Sequence, residues 1–339
     1  MKGKWIILVV LGVVLGFLSL AQGGTTFDAV KQRGYVIVGC NTGQPGFSSP
    51  DSAGVWRGLD VDYGRALAAA LFGDATKIKF VPLSSTQRFT ALQSGEVDVL
   101  ARNTTHTLLR DTQLGVNFTP PNFYDGTGFL VRKKLGVKSA FELNGASVCY
   151  TPGSTTEMNV AEFFLKNKMT YKPVLFDSNE EVTKAFVAGR CDCTSGDRSS
   201  VAGTRITTPN PDEFVVLPEI ISKEPLAPAV RHGDDQWYDV ACWVLYAMIT
   251  GEELGITSKN VDSLLASTNP EIKRFLGLDA KLGKALGLDD KWAYHVIKQV
   301  GNYSESYENN IGENTPMKLQ RGVNALWNKG GLLYAPPFK

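Results

Sequence analysis

Short apolar runs alternate with amphipathic stretches in the first part of the chain. Residues 35–40 form a β-branched run that ends before Asn41, which predicts a buried strand feeding a loop. Residues 59–72 carry apolar side chains at helical spacing, and residues 78–83 and 97–100 predict two further strands. Strands that alternate with amphipathic helices are typical of an α/β layered domain.

The same alternation returns in the middle of the chain. Residues 146–150, 171–176 and 191–194 predict strands, and a helix is predicted over residues 180–188. Another helix is predicted to open at Ser154, where Ser-Thr-Thr-Glu has the form of a capping box. The chain therefore contains a second α/β unit.

The two units share a local pattern in which a helix, a glycine stop and a short strand follow one another. Asn103 follows Gly95 by the same number of residues as Asp197 follows Gly189. Both polar residues are expected just beyond the carboxyl end of a strand, where open α/β sheets bind ligands. The pattern suggests two similar lobes whose strand ends face each other, although a helix–glycine–strand pattern is also common by chance.

Two stretches are predicted to cross between the lobes, residues 123–133 outward and residues 220–230 on the return. We therefore assign residues 25–130 and 228–339 to the first lobe and residues 131–227 to the second. The first lobe includes an apolar helix at 237–249 and a mostly helical C-terminal extension.

The N-terminus has the pattern of a secretory signal. Lys2 and Lys4 precede an apolar run at 5–18, and Ser19-Leu-Ala21 supplies the small residues of a cleavage site. The alternative is a membrane anchor, but the run is shorter than the ~20 residues that span a bilayer. We predict a signal peptide over residues 1–21 and export to the periplasm, which permits disulfides.

Composition and motifs exclude several classes of function. The 339 residues carry a net charge of +1, so no global field exists to hold nucleic acid. Three histidines and five scattered cysteines leave little material for a metal centre. The sequence has no G-x-S-x-G, P-loop, G-x-G-x-x-G or H-E-x-x-H motif. We expect neither an enzyme nor a cofactor.

The most informative segment is residues 102–111, a run of hydroxyl and amide groups that ends in Arg110. The planar guanidinium matches a carboxylate with two parallel hydrogen bonds. Asn103 and Thr105 can donate to the same ligand, and His106 could line its side-chain end. The alternative is a surface arginine beside a helix and a histidine without a role in binding.

The second unit offers groups of complementary chemistry. Asp197 is a carboxylate that suits an ammonium group, unless it is an ordinary turn residue. Ser154 and Thr155 open a helix, and a helix N-terminus binds carboxylates. Capping alone would also explain these two residues.

Several of these segments together resemble one family. Residues 58–67 (GLDVDYGRAL) are similar to the signature of the extracellular solute-binding proteins, family 3, of polar amino-acid ABC transporters. Asn103-Thr-Thr-x-Thr with Arg110 resembles the α-carboxylate motif of that family, and residues 153–157 with 189–197 resemble its second-lobe motifs. Residues 88–95 and the long C-terminal part are most similar to the general L-amino-acid subgroup of the AapJ/BztA type.

The resemblance implies a type II periplasmic-binding-protein fold. Each lobe would be a mixed sheet flanked by helices, and a two-strand hinge would join the lobes. The protein would be a monomer that closes on an L-amino acid, of the glutamate, glutamine, aspartate or asparagine type. It would deliver this ligand to an ABC permease with a cytoplasmic ATPase.

The resemblance also implies roles for individual residues. Arg110 would hold the α-carboxylate and Asp197 the α-ammonium, with further donors from the residues singled out above. Gln44 and Phe47 would form a wall near the ligand side chain. Cys149 and Cys191 would form a disulfide in the second lobe.

Two positions depart from the subgroup. Its members often carry a bulky aromatic residue where this chain has His106, and an apolar residue where it has Gln44. Both changes favour a polar or acidic ligand side chain.

A secreted enzyme similar to cyclohexadienyl dehydratase is an alternative function that would need His106 in the cleft. A ligand-binding protein that serves a sensor is another.

Overall fold

The computed structural model describes residues 25–279 and 281–339, so the predicted signal peptide at 1–21 lies outside the described residues. The strands, numbered along the chain, are β1 (Val36–Asn41), β2 (Ser49–Pro50), β3 (Trp56–Arg57), β4 (Ile78–Leu83), β5 (Val99–Leu100), β6 (Val116–Phe118), β7 (Phe123–Asp125), β8 (Thr127–Arg132), β9 (Ser147–Tyr150), β10 (Lys172–Leu175), β11 (Cys193–Asp197), β12 (Phe214–Val216), β13 (Glu224–Leu226) and β14 (Ala229–Arg231).

The α-helices are α1 (Thr26–Arg33), α2 (Leu59–Phe72), α3 (Arg88–Ser94), α4 (Leu108–Gln113), α5 (Thr155–Lys166), α6 (Asn179–Val187), α7 (Arg198–Thr207), α8 (Asp235–Glu253), α9 (Pro270–Phe275), α10 (Leu282–Ala285), α11 (Trp292–Gln299) and α12 (Tyr303–Asn310). Short 3-10 helices cover Lys133–Leu135, Ala140–Glu142, Pro211–Glu213, Ser263–Ala266, Gly322–Asn324 and Trp327–Lys329. Within the described ranges, no helix has the length and apolar character that a membrane crossing requires.

Two five-stranded mixed sheets form the centres of two lobes. The first lobe has the strand order β4-β1-β5-β14-β6, in which β1 is parallel to both of its neighbours. The second lobe has the order β10-β9-β11-β8-β12, in which β9 is parallel to both of its neighbours. The predicted two-lobed α/β architecture is confirmed.

The chain crosses between the lobes on β7 and β13, which pair with each other as a separate antiparallel ribbon. We call these two strands the hinge strands. The second sheet begins at Thr127, which pairs with Asp197. The expected boundary after residue 130 therefore falls inside β8, because the resemblance locates a hinge but not its last residue.

Local sequence explains where several helices stop and start. Gly95 and Gly189 have positive φ angles of 83° and 76°, and the Gly95 N–H caps α3 by donating to the Leu92 carbonyl. The capping box predicted at Ser154 does not form, because the Ser154 hydroxyl donates to the Thr151 carbonyl at 2.7 Å. A capping box does form one helix later, between Ser178 and Glu181 of α6.

The C-terminal extension is part of the core of the first lobe. It packs against α2 and α8, and it buries Tyr303 and Tyr307 almost completely. The second lobe has its own aromatic core around Phe129 and Phe164. Each lobe thus has its own apolar interior, and the hinge strands connect the two lobes.

The disulfide between Cys149 of β9 and Cys191 is confirmed. It closes a loop with a sequence separation of 42 residues inside the second lobe. Replacing both cysteines by serine is expected to lower the free energy of unfolding by about 4 kcal/mol, because the loop is no longer constrained in the unfolded chain. Urea unfolding followed by circular dichroism measures this change, with Cys193→Ala, which removes a buried free thiol, as the control. Equal urea midpoints for the double variant and the wild type would contradict the expectation.

Candidate ligand-binding site

A cavity of about 60 Å³ lies between the lobes, where the carboxyl ends of β1, β5, β9 and β11 face one another. Its lining is mostly polar and comes from both lobes: Asn41, Ser85, Arg88, Arg102, Asn103, Thr105, Arg110, Tyr150, Thr151, Ser154, Thr155, Thr156, Asn179, Val182, Thr194, Ser195, Gly196, Asp197, Ser200, Val201 and Thr204. This is the sheet edge at which α/β proteins bind ligands.

Most of the residues predicted from the sequence meet at this cavity. The structure brings together residues that the chain order separates widely: Asn103, Thr105 and Arg110 from the first lobe, and Ser154, Thr155 and Asp197 from the second. Asn103 and Asp197, the two ends of the repeated helix–glycine–strand pattern, both line it. The Asn103 side chain lowers the pKa of the Asp197 carboxyl, against the larger effect of burial.

Arg110 lies in the first turn of α4, which begins at the capping residue Thr107. Its Nη1 atom donates to the Thr105 carbonyl at 2.9 Å, and the guanidinium carbon lies 5.4 Å from the centre of the Phe89 ring. Burial lowers the pKa of Arg110, which the carboxylates of Glu224 and Asp197 partly offset. The guanidinium is thus oriented by the protein and retains N–H groups for an anionic ligand.

Asn103 has a φ of 37°, a left-handed conformation that asparagine tolerates better than most residues. Its backbone N–H donates to the Asp60 carboxylate at 2.6 Å, and its side-chain oxygen accepts a hydrogen bond from Asn41 at 2.8 Å. Burial raises the pKa of Asp60 to about 6, against the effect of hydrogen bonds from Asn122 and Asn103. These contacts fix the first-lobe loop at the cavity.

Asp197 ends β11 and is 8% exposed. Burial raises its pKa well above the usual range, and the neighbouring carboxylates of Asp125 and Glu224 add to the shift. A carboxylate in such an acidic and desolvated position gains strongly from a cation beside it. An ammonium group in the cavity would supply that charge.

Glu224 of β13 joins both lobes at the rear of the cavity. One of its carboxylate oxygens accepts hydrogen bonds from Thr105 of the first lobe and from Thr155 of the second, the latter at 2.8 Å. Asn159 of α5 donates to the other oxygen at 2.6 Å. The two threonines also lie within hydrogen-bond distance of each other, at 3.3 Å. The lobes are therefore in direct contact through this carboxylate.

Arg88 and Arg102 line the cavity as well, and sequence reasoning gave neither of them a role. Arg102 donates to the Leu83 carbonyl at 2.9 Å and to the Ser85 hydroxyl at 3.2 Å. Arg88 is 2% exposed, donates to the Thr104 hydroxyl at 3.3 Å, and has no partner for Nε among the described residues. The sequence feature that indicates a role for Arg88 is its position in the first turn of the helix that follows β4, because this position brings it to the same sheet edge.

Arg88, Arg102 and Arg110 bring three guanidinium groups to one side of the cavity. Burial and the positive charges of Arg102 and Arg110 lower the pKa of Arg88 well below its usual range. Burial and Arg110 lower the pKa of Arg102 to about 10. In the described part of the chain, neither Arg88 nor Arg110 forms an ion pair. This side of the cavity is suited to anionic groups.

The structure does not bring the remaining predicted residues to the cavity lining. Phe47 is buried in the core of the first lobe, where its ring packs edge-on against Phe123 at 5.3 Å. The His106 ring stacks on Phe118 at 4.6 Å, and its Nε2 lies 3.4 Å from Asp111. Both residues neighbour the site in sequence, but their side chains turn to apolar partners instead.

Gln44 lies beside the cavity and is not part of its lining. Its side-chain oxygen accepts hydrogen bonds from Asn179 and Ser200 of the second lobe, both at 2.8 Å. The side chain is 1% exposed. Gln44 therefore fastens the first-lobe loop to the second lobe, next to two residues that do line the cavity.

Solved structures with the same two-lobed fold are found by comparison. An ABC transporter/periplasmic binding protein from Brucella ovis with glutathione bound superposes with a TM-score of 0.91 and 52% identity, covering 93% of this chain and 100% of that chain. An ancestral arginine-binding protein bound to arginine has a TM-score of 0.58 and 28% identity, covering 68% of this chain and 97% of that one. These neighbours confirm the predicted type II fold.

Sequence comparison agrees. The general L-amino acid-binding periplasmic protein AapJ of Rhizobium johnstonii is 54% identical over 341 residues, covering 100% of both chains. The glutamate/glutamine/aspartate/asparagine-binding protein BztA of Rhodobacter capsulatus is 52% identical over 320 residues, covering 94% of this chain and 95% of its own. The pattern of the bacterial extracellular solute-binding proteins, family 3, matches residues 36–274. The chain therefore belongs to family 3 of the bacterial extracellular solute-binding proteins.

Proposed function

We propose that this protein binds an L-amino acid with an acidic side chain in the periplasm and delivers it, as a monomer, to an ABC permease with a cytoplasmic ATPase. The periplasmic names of relatives such as AapJ support the compartment, together with the signal-like N-terminus. The names of AapJ and BztA support an amino-acid ligand.

The charge distribution of the cavity is the observation that carries the proposal. Arg88, Arg102 and Arg110 line one side of it and Asp197 lines the other. A zwitterion with a second carboxylate complements this set, because its ammonium meets Asp197 and its two carboxylates meet the guanidinium groups. Arg110 is assigned to the α-carboxylate, and Arg88 to the side-chain carboxylate.

Closure of the hinge would couple the two lobes to the ligand. Each lobe carries part of the polar groups, so a bound zwitterion satisfies both only when the lobes are together. Hydrogen bonds to charged groups contribute about 1.5–3 kcal/mol each, so a few of them outweigh the cost of ordering the lobes. Glu224 adds bonds between the lobes that form in the same arrangement.

A γ-glutamyl peptide is a second candidate ligand, because the Brucella ovis relative has glutathione bound. Glutathione also has two carboxylates and one ammonium group, so it matches the same charges. The cavity of about 60 Å³ is smaller than the ~150 Å³ that holds a benzene molecule, so glutamate already requires the lobes to separate slightly, and a tripeptide requires a much larger separation. This difference in size favours the free amino acid.

The relatives AapJ and BztA are binding proteins rather than enzymes. We extend this to the present chain and propose that it has no catalytic activity. The dehydratase alternative needs a histidine in the cleft, whereas the His106 ring packs against Phe118 outside the cavity lining. Incubation with prephenate, followed by chromatography of the products, tests the proposal; turnover would overturn it.

Titration calorimetry of the purified protein with a panel of L-amino acids and glutathione tests the ligand. We expect glutamate and aspartate to bind more tightly than glutamine and asparagine, and leucine and valine not to bind. A clear preference for leucine or valine would contradict the proposed function, and tighter binding of glutathione would reassign the ligand to the γ-glutamyl peptides.

Replacing Arg88 by glutamine is expected to reduce the preference for glutamate over glutamine by about 10- to 100-fold. The variant loses one charge-assisted interaction with the side-chain carboxylate, worth about 1.5–3 kcal/mol. Calorimetry with both ligands measures the ratio. Arg57→Gln is the matched control, because the Arg57 side chain is 61% exposed and lies outside the cavity. An unchanged ratio in the Arg88 variant would remove this residue from the assignment.

A further inference from the structure

The C-terminal segment from Tyr303 to Asn324 reaches the hinge. This segment lies beyond residues 36–274, which are the part of the chain that the family pattern matches. AapJ aligns over the whole chain, whereas the ancestral arginine-binding protein covers 68% of it. The segment is thus additional to the common part of the family, and its contacts indicate what it adds.

Asn324 binds the hinge strand β7 with its side-chain amide. Its oxygen accepts a hydrogen bond from the Tyr124 N–H at 2.7 Å, and its nitrogen donates to the Tyr124 carbonyl at 3.0 Å. Asn324 is 5% exposed. One buried side chain therefore satisfies both backbone groups of one hinge residue, as a neighbouring strand would.

The pairing of the hinge strands explains why the backbone N–H and carbonyl of Tyr124 are free to bind Asn324. Tyr124 lies opposite Pro225 of β13, and proline has no N–H to donate. The Pro225 carbonyl accepts instead from the backbone N–H of His106 at 2.9 Å. The Tyr124 N–H and carbonyl therefore face the outer edge of the ribbon, where the Asn324 amide lies.

The C-terminal segment also contacts Asn122 and Phe123, the two residues before Tyr124. The Tyr303 hydroxyl donates to the Asn122 carbonyl at 2.6 Å. The Tyr307 ring stacks on Phe123, with 6.3 Å between ring centres. Three consecutive positions at the start of β7 thus contact the C-terminal segment.

The segment is in turn attached to the first lobe. Arg321 donates from Nη2 to both carboxylate oxygens of Glu252 on α8, at 3.0 and 3.2 Å, and from Nε to the Asn324 carbonyl at 3.0 Å. Its guanidinium also lies over the Tyr303 and Tyr307 rings, at 5.2 and 4.8 Å. A continuous set of contacts leads from α8 to the hinge strand.

We propose that residues 303–324 form a hinge brace, which fastens β7 to the first lobe and confines bending to the residues beyond it, at 125–127 and 222–224. This inference rests on the proposed function, since closure around the ligand is what the brace would assist. Closure must bring Thr105 and Thr155 to Glu224 together. When β7 is already held, fewer conformations are lost on closing, so the brace raises the affinity.

The test compares Asn324→Ala with the wild type. Spin labels at Glu96 of the first lobe and Lys166 of the second, both exposed, report the distance between the lobes. We expect the variant without ligand to show a broader distance distribution, and its Kd for glutamate to rise about tenfold. Exchange of the Tyr124 amide hydrogen with solvent should also become faster.

Asn269→Ala is the matched control, because Asn269 is an asparagine of the same extension that lies outside residues 303–324 and caps α9 by accepting from the Glu271 N–H at 2.9 Å. It should lower the melting temperature without changing the distance distribution or the Kd. Equal distance distributions and Kd values for the Asn324 and Asn269 variants would overturn the brace. If Asn324→Ala does not fold, Tyr303→Phe, which removes only the bond to Asn122, replaces it. Should glutamate not bind at all, the proposed function fails, while the ligand-free distances still decide on the brace.

Discussion

Replacing Arg110 by alanine is expected to weaken binding of glutamate by about 10³- to 10⁴-fold while the fold remains intact. The variant loses two charge-assisted hydrogen bonds to the α-carboxylate, each worth about 1.5–3 kcal/mol. The Arg110 side chain packs beside Phe89 rather than in the apolar core, so its removal leaves the lobes folded. Titration calorimetry measures the affinity, and circular dichroism checks the fold.

A lysine at the same position should restore only part of the affinity, because an ammonium group is a point charge and does not match a carboxylate with two parallel bonds. Arg57→Ala, in an exposed side chain far from the cavity lining, should bind like the wild type. Affinity close to that of the wild type in Arg110→Ala would show that another group holds the α-carboxylate.

Replacing Asp197 by asparagine is expected to weaken binding by about 10³-fold, since the ligand ammonium then lies in a desolvated site without its counter-charge. Asp212→Asn, in a fully exposed side chain of the second lobe, is the matched control and should have no effect. An Asp197 variant that binds glutamate as the wild type does would remove the carboxylate from the site.

Binding should also depend on pH through Asp197. Burial and the carboxylates of Asp125 and Glu224 raise its pKa in the free protein, and a bound ammonium favours the charged form and lowers it again. Affinity is therefore highest above the pKa of the free protein and falls as the pH drops through it, with release of a proton on binding. Calorimetry in buffers of different protonation enthalpy should detect that proton in the wild type and not in Asp197→Asn.

The sequence was sufficient for the parts of the site that strand ends and helix starts determine. Asn103 follows β5, Asp197 ends β11 and Thr155 opens a helix, so the rule for open α/β sheets brings them to one edge. The alternation of strands and helices likewise predicted two lobes. The pairing of Cys149 with Cys191 came only from the resemblance.

What the sequence could not supply was the direction of individual side chains. Phe47 and His106 lie in loops beside the site, but apolar partners, Phe123 and Phe118, take up their rings. Arg88 stands in an otherwise amphipathic helix, where periodicity predicts packing and not a charged group in a cavity. The contact of the extension with β7 joins residues 200 positions apart, which no local pattern encodes.

The bonds that Gln44 accepts from Asn179 and Ser200 join the two lobes directly, protein to protein. Their share of the closing free energy is therefore the same whichever molecule is enclosed. We expect this contribution to shift the affinity for every ligand equally, so that differences between ligands come from the residues that line the cavity.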